Sequence, residues 1–461
     1  MFSATTYSQR RQELVKALDS GIIILFGNNE LGMNYAANTY RFRQDSNFLY
    51  FFGIDQPGMA AIIDVDENKE TLFGDDLTVD DIVWVGPHPT VNALAAKVGV
   101  ANTAALSAFA AAVKKAHSQG RKVHFLPPYR FENKLHLQEW LGIPATEQKS
   151  KASEALIRAV VNLRSYKSAE ELVEMEKAVN ITRAMHLAVM KGAKAGKKEA
   201  ELAGLAQAIA VSTEGDLAYP VILSKDGQTL HNHYHGNVLQ PGQLVLGDFG
   251  AETKSRYAGD ITRTFPVDAK FTSKQKDIYT IVLQAEEDSI AALKPGISYK
   301  DVHLNAAKII AQGLKDLGLM QGDIDEAVAQ GAHAMFFPHG LGHMIGLDVH
   351  DMEDLGEQYV GYSETVERST QFGTAYLRLG RALEAGFVLT VEPGIYFIPE
   401  LIDLWQKDKK HADFINYDKV NAYRDFGGIR IEDNVLITAD GHRILGERIA
   451  KSVEEVEALR S

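Results

Sequence analysis

The sequence predicts an α/β domain followed by an α+β domain, and three observations carry that prediction. Strand-like apolar runs alternate with helical composition through the first third of the 461 residues. A capped helix opens at Ser168, where Ser-Ala-Glu-Glu sets a hydroxyl three positions before Glu171. From Gly242 onward, four strand-like pieces carry a carboxylate within or beside an apolar run. A charge in such a strand is costly unless it is paired or bound to a metal. Chemistry is therefore expected in the second domain.

In the first third, Gly21–Gly27 (GIIILFG), Phe48–Ile54 (FLYFFGI), Met59–Asp66 and Asp81–Gly86 read as strands. Short runs rich in branched and aromatic side chains suit a buried pleated surface. The alanine-rich stretch Ala101–Ala116 has helical composition. Lys122–Pro128 is strand-like and stops at two prolines. A helical region spans residues 153–212, and Leu172, Met175 and Val179 follow the Ser168 cap at helical spacing. The boundary is placed near Arg164–Lys167, giving domains 1–165 and 166–461.

Composition narrows the function. Hydrophobic residues make up 45% and charged residues 24%, enough apolar material for a large core. A net charge of −13 argues against a nucleic-acid partner, which needs a basic face. The absence of cysteine excludes disulfides, thiolate nucleophiles and sulfur-ligated metals, so a metal must be held by oxygen and imidazole. The opening MFSATTYSQRRQELVKALDSG lacks the apolar core of a signal peptide. No run of about 18 apolar residues suggests a membrane span. A cytoplasmic protein with no membrane partner is expected.

The carboxylates of the second domain come in a definite order. Asp248 follows Leu244-Val245-Leu246, and Asp260 opens DITRTF beyond a polar turn at Thr253–Ser255. A hairpin would bring the two together. Thr262 shares the face of Asp260, where its hydroxyl suits holding a carboxylate. His343 sits in HGLGHMIGLDVHD between His339 and His350, in a glycine spacing that does not fit a dinucleotide loop. Glu392 follows the run Phe387–Val391 and precedes Pro393-Gly394, and Glu432 lies in IRIED with Arg430 on its face.

Each residue alone has an ordinary structural reading. Asp248 would be a turn residue, Asp260 a partner of Arg263, Glu392 a strand end, Glu432 a partner of Arg430, and the histidines packed or solvated. Together they read differently, because four carboxylates cannot share a buried site without cations. Two divalent ions about 3.5–4 Å apart would neutralise them and supply hydroxide near neutral pH. Oxygen-rich ligands with one imidazole favour Mn²⁺, with Co²⁺, Fe²⁺ and Zn²⁺ as the other ions that fit.

The order Asp, Asp, His, Glu, Glu resembles that of the pita-bread metallopeptidases, which include methionine aminopeptidase, Xaa-Pro aminopeptidase and Xaa-Pro dipeptidase. The strings YAGDITRTFPV, HGLGHMIGLDVHD, VEPGIY and GIRIEDNVLIT resemble the proline-specific branch, and TYRFRQDSNFLYFFGI is similar to the start of its extra N-terminal domain. The resemblance spans nearly the whole chain. It implies a creatinase-like α/β domain and a pita-bread domain, a curved antiparallel sheet backed by helices. It also implies two metal ions, with Asp248 a terminal ligand of one. Asp260 and Glu432 would bridge both ions, and His343 and Glu392 would hold the other. Glu392 would also shuttle a proton, His350 would steady the tetrahedral intermediate, His339 would line the substrate pocket, and Arg430 would fix Glu432.

Two departures from the family pattern appear. LHNHYHGN offers several histidines where the family uses one, and His231 is preferred to His233 for that substrate contact. The turn between Asp248 and Asp260 is one residue longer than usual, which a hairpin tip tolerates. The implied activity is that of an Xaa-Pro aminopeptidase, acting on a peptide with proline in second position. Xaa-Pro dipeptidase is the alternative, and a metal-free binding module of the same fold comes third. Relatives imply a homodimer or higher homo-oligomer. Two long segments, Asp351–Ala385 and Pro399–Gly428, read as surface decoration, as a rim of the substrate cleft or as a subunit contact.

Overall fold

The computed structural model describes residues 2–460. It forms two compact units. One holds the chain up to Arg164 together with Met352–Tyr359, and the other holds Ser165–Asp351 and the chain from Val360.

The first unit is built on a mixed sheet of β1 (Ile22–Phe26), β2 (Ala60–Asp64), β3 (Lys69–Phe73), β4 (Asn102–Ala104) and β5 (Val123–His124), in the order β4-β3-β2-β1-β5. Ile22, Ile24, Ile62 and Phe73 meet Phe109, Val113, Leu137 and Trp140 in its core. Two expected strands are helices. FLYFF lies in the helix Ser46–Phe52, which starts where Asp45 accepts from the Phe48 N–H at 2.9 Å and stops at Gly53 with φ 61°. DIVWV lies in the helix Val79–Val85, opened by a capping box of Thr78 and Asp81. A short apolar run does not separate strand from helix, and here the caps decide. The strand β3 was not expected, since its first half is charged.

The second unit contains the helices Ala169–Gly192, Glu199–Ser212, Ser273–Ala292 and Tyr299–Asp316. The first begins at the predicted cap: the Ser168 N–H reaches Glu171 at 2.9 Å and the Glu171 N–H reaches the Ser168 hydroxyl at 3.3 Å. Its strands are β6 (Asp216–Leu217), β7 (Ile222–Ser224), β8 (Leu244–Asp248), β9 (Ala251–Glu252), β10 (Thr262–Pro266), β11 (Val388–Val391), β12 (Gly394–Tyr396), β13 (Gly428–Arg430), β14 (Asp433–Ile437) and β15 (His442–Ile444). They pair antiparallel as β10-β8-β7, β11-β14-β15, β12-β13 and β6-β9. The short sheets are stitched together. The Glu432 N–H donates to the Thr262 carbonyl at 3.1 Å, and the Arg430 N–H donates to the Thr264 hydroxyl at 3.2 Å. This combination of antiparallel sheets and helices agrees with the pita-bread architecture that the resemblance implies. Among the described residues, no helix is long and apolar enough to cross a membrane.

Candidate metal centre

Antiparallel pairing of β8 with β10 sets Asp248 opposite Thr262, which places Asp260 just beyond the end of the ladder and beside Asp248. One hydroxyl lies between the two carboxylates. Tyr219 donates toward Asp248 Oδ1 at 2.6 Å and also contacts Asp260 Oδ1. A phenol has a single proton, so it satisfies only one of them at a time. The backbone of Asp260 is held by Asn434, whose Oδ1 accepts its N–H at 3.0 Å and whose Nδ2 donates to its carbonyl at 2.6 Å.

On the other side, β11 delivers Glu392 and the neighbouring loop delivers His343. The His343 N–H donates to the Thr390 hydroxyl at 3.1 Å, and the same hydroxyl lies 3.4 Å from Glu392 Oε1. Gly342 is required here, since a Cβ would fall 2.0 Å from the Thr390 carbonyl oxygen. His343 Nδ1 lies 3.0 Å from the Met344 carbonyl, so Nδ1 carries the proton. Nε2 then faces Asp260 Oδ2, 3.3 Å away, and Glu392 Oε1, 3.6 Å away. His350 stacks edge-on against His343 at 4.4 Å.

Glu432 completes the group. Ligand atoms of Asp260, His343 and Glu432 all lie within 4.8 Å of one another. Glu432 Oε2 accepts from the Thr262 hydroxyl at 2.6 Å, whereas Oε1 is buried with no hydrogen-bond partner. The ordinary pairings do not occur. Arg263 pairs with Asp433 at 2.6 Å, not with Asp260. Arg430 pairs with Asp248 at 2.5 Å and reaches Glu432 only through the Thr262 hydroxyl, which its Nε meets at 3.1 Å.

The electrostatics match this crowding. Burial, then the neighbouring carboxylates, pushes Glu392 up to about 7 and Glu432 well above the usual carboxylate range. Burial also raises Asp248, with Arg430 opposing. Burial pushes Asp260 up, but His343, Tyr219 and His350 together outweigh it and leave Asp260 lowered. A buried carboxylate oxygen without a partner, a phenol shared by two acids and an imidazole nitrogen facing two carboxylates describe a site rich in negative charge. The donor set of oxygen and one imidazole therefore fits divalent ions.

The histidines complete the wall. His339 Nδ1 donates to the Gly340 carbonyl at 2.8 Å, and its Nε2 accepts from the Tyr396 hydroxyl at 2.8 Å. That hydroxyl accepts in turn from Arg430 at 2.8 Å. Burial, then Arg430, lowers His339 to about 3, so its ring is neutral. His231 is exposed, yet it lies in the fields of Asp248, Arg430 and Arg378, and its pKa is lowered by partial burial and then by the two cations. His233 is exposed and His235 turns to the Val221 carbonyl at 3.1 Å. The two long segments pack on each other through Phe372 and Trp405, 5.9 Å apart, and Leu377 lies against Gly340 beside His339.

Four residues of the centre were not singled out from sequence: Tyr219, Thr390, Tyr396 and Asn434. Thr390 had a signal, since it stands two residues before Glu392 on the same face, as Thr262 stands two after Asp260. Tyr219 had none, because it precedes a proline in a connection far from the ligands in sequence.

Residues 173–439 match the model of Metallopeptidase family M24, and residues 7–124 match that of Aminopeptidase P, N-terminal domain. The human Xaa-Pro dipeptidase is 33% identical over 456 residues, covering 96% of this chain and 89% of that protein. A probable Xaa-Pro aminopeptidase of Sordaria macrospora is 36% identical over 449 residues, covering 95% of this chain and 91% of that protein. Aminopeptidase P from Escherichia coli, solved with the inhibitor Pro-Leu, superimposes with a TM-score of 0.79 at 30% identity, covering 100% of this chain and 98% of that one.

Proposed function

The chain belongs to metallopeptidase family M24, whose members are metal-dependent hydrolases, and on that premise we propose that it is an Xaa-Pro aminopeptidase. Its substrate is a peptide with proline in second position, from which the N-terminal residue is released. The observation that carries this reading is the centre itself, where Nε2 of His343 faces both Asp260 and Glu392 while its Nδ1 is held by the Met344 carbonyl.

Asp248, Asp260, His343, Glu392 and Glu432 would hold two divalent ions, and the oxygen-rich set favours Mn²⁺ over Co²⁺, Fe²⁺ or Zn²⁺. When bound, the ions supply a hydroxide near neutral pH and polarise the scissile carbonyl. The chain's own residues do the rest. Glu392, as its ionised carboxylate, takes a proton from the attacking water and returns it to the departing proline nitrogen. A proline nitrogen has no N–H and leaves only after gaining that proton. His339, neutral and fixed in one tautomer, offers its ring to the proline side of the pocket. His350 steadies the tetrahedral intermediate, and His231, in preference to His233, contacts the substrate near the scissile bond. Arg430 orients Asp248 directly and Glu432 through Thr262.

Xaa-Pro dipeptidase is the second reading, favoured by Arg378. Its charge acts on both His231 and His339, and it is the residue proposed to receive the carboxylate that follows proline in a dipeptide. A cytoplasmic location is proposed, which a cysteine-free chain fits. It is proposed to form a homodimer or higher homo-oligomer. The helix Val79–Val85 supports this, since Val79, Val83 and Trp84 are 77%, 75% and 86% exposed. Sizing in solution tests the assembly. The activity is tested with a panel of Xaa-Pro dipeptides and Xaa-Pro-Xaa tripeptides against added Mn²⁺, Co²⁺ and Zn²⁺. Release of the first residue from tripeptides is expected. Cleavage confined to dipeptides would select the dipeptidase.

A further inference from the structure

Glu199 opens the helix Glu199–Ser212, is fully buried and stands outside the carboxylate cluster. Its Oε1 accepts from the Ser224 hydroxyl at 3.1 Å, the Lys225 N–H at 2.8 Å and Asn237 Nδ2 at 3.2 Å. Its Oε2 accepts from the Asn237 N–H at 3.3 Å and Asn237 Nδ2 at 3.0 Å. These donors are neutral. Burying a carboxylate on neutral donors is expensive unless its lone pairs are filled, and here they are filled from both ends of one loop. The backbone adds two more ties, from the Glu199 N–H to the Asn237 carbonyl and from the Ala200 N–H to the His235 carbonyl, each 3.0 Å.

The loop between those ends carries His231 and His233. Its middle is fastened to the same carboxylate through one hydroxyl. Ser224 Oγ, while donating to Glu199, accepts from the Asp226 N–H and from Asn232 Nδ2, each at 3.0 Å. Asn232 Oδ1 accepts from the Tyr234 N–H at 2.9 Å. Asn232 thus sits between two exposed histidines and is itself pinned, by way of Ser224, to a buried anion. Without that chain, an exposed loop of polar residues has little to fix its conformation.

We propose that Glu199 is a positioning residue, which acts through Ser224 and Asn232 to hold His231 toward the metal centre. This rests on the reading that His231 contacts the substrate. Glu199 touches neither metal ligand nor substrate. Exchanging it for glutamine leaves one acceptor oxygen for all of these donors and sets an N–H₂ group against either the Asn237 or the Ser224 and Lys225 donors, which loosens the loop, while Asp248 and its neighbours keep their own partners.

The test measures kcat and KM on an Xaa-Pro-Xaa tripeptide with the Mn²⁺-loaded protein. The variants are Glu199→Gln, Asn232→Ala, His231→Ala and the doubles that combine each of the first two with His231→Ala. His231→Ala is expected to lower kcat/KM on the order of 10²-fold. A misplaced contact group loses a comparable amount, so each positioning variant is expected to fall between about 10-fold and 10²-fold. Metal content should stay at the unmodified level, and the doubles should be no slower than His231→Ala alone. Losses that multiply in the doubles would overturn the proposal while leaving the role of His231 intact. Full activity in both Glu199→Gln and Asn232→Ala beside an impaired His231→Ala would do the same. Full activity in His231→Ala would overturn the reading of that histidine and the proposal with it. Asn232 lies in a surface loop, so its variant decides the matter if Glu199→Gln does not fold.

Discussion

His343 aims its Nε2 at Asp260 Oδ2, 3.3 Å away, because its Nδ1–H is committed to the Met344 carbonyl. Two electron-rich atoms held face to face favour a proton or a cation between them. The pKa of His343 moves up, since its contact with Asp260 and the field of Glu392 outweigh the opposing effect of burial. Around them stand two further acids whose burial drives them toward the neutral form, Glu392 and Glu432.

Metal uptake should therefore release protons. Metal-free Glu392 stays protonated below about 7, whereas a ligand must be ionised. Affinity for Mn²⁺ should fall as pH drops below 7, by about tenfold per pH unit for each proton displaced. Calorimetry of Mn²⁺ binding at pH 6 in buffers of different ionisation enthalpy should show an enthalpy that depends on the buffer. A buffer-independent enthalpy would contradict the protonated centre.

Tyr219 sets one hydroxyl between Asp248 and Asp260 and donates to one of them at a time. Replacing it with phenylalanine removes the only bridge between the two acids that the described hydrogen bonds provide. Groups that orient ligands in this way change metal affinity by about 10- to 100-fold when lost. Tyr219→Phe should weaken Mn²⁺ binding in that range, read by competition with a chelator, while excess Mn²⁺ restores most of the activity.

His303 and His333 are fully buried, with neither ring nitrogen hydrogen-bonded. Burial lowers them to about 3 and about 4. The neutral form is thus favoured in the fold, and the unfolded chain takes up protons first as pH falls below about 6.5. Each histidine should remove about 1.4 kcal/mol of stability per pH unit between there and its folded pKa. Above 6.5 neither contributes a pH dependence. The variant His333→Leu should show a shallower loss of stability in urea unfolding between pH 6 and pH 4.5. An unchanged slope would show that His333 is already protonated or solvated in the native state.

Arg378 gives the peptide-length preference a handle. If its guanidinium receives a carboxylate placed directly after proline, Arg378→Ala should raise KM for Xaa-Pro dipeptides by about 10-fold or more, in line with a lost charged contact. The KM for Xaa-Pro-Xaa tripeptides should change little. Equal effects on both would mean that Arg378 shapes the pocket without reading the carboxylate.

Much of the candidate centre was legible in the sequence because, while His343 stands among glycines, its four carboxylates stand in or beside strands that otherwise read as core. A charge there has few explanations, so Asp248, Asp260, Glu392 and Glu432 announced themselves. Thr262 was legible from the two-residue period of a strand, although it holds Glu432 where Asp260 is its neighbour in sequence. Tyr219 and Asn434 were not legible, since their meaning depends on which strands pair. The sequence also misassigned two apolar runs in the first unit. FLYFF and DIVWV have strand composition, and the caps at Asp45 and Thr78 decided otherwise.

The central claim is that Asp260 joins metal binding to peptide hydrolysis. It is tested most directly by Asp260→Asn, measured together for bound Mn²⁺ by elemental analysis and for cleavage of an Xaa-Pro-Xaa tripeptide. The variant should fold, lose most of its metal and lose hydrolysis with it. Full activity in Asp260→Asn would contradict the account.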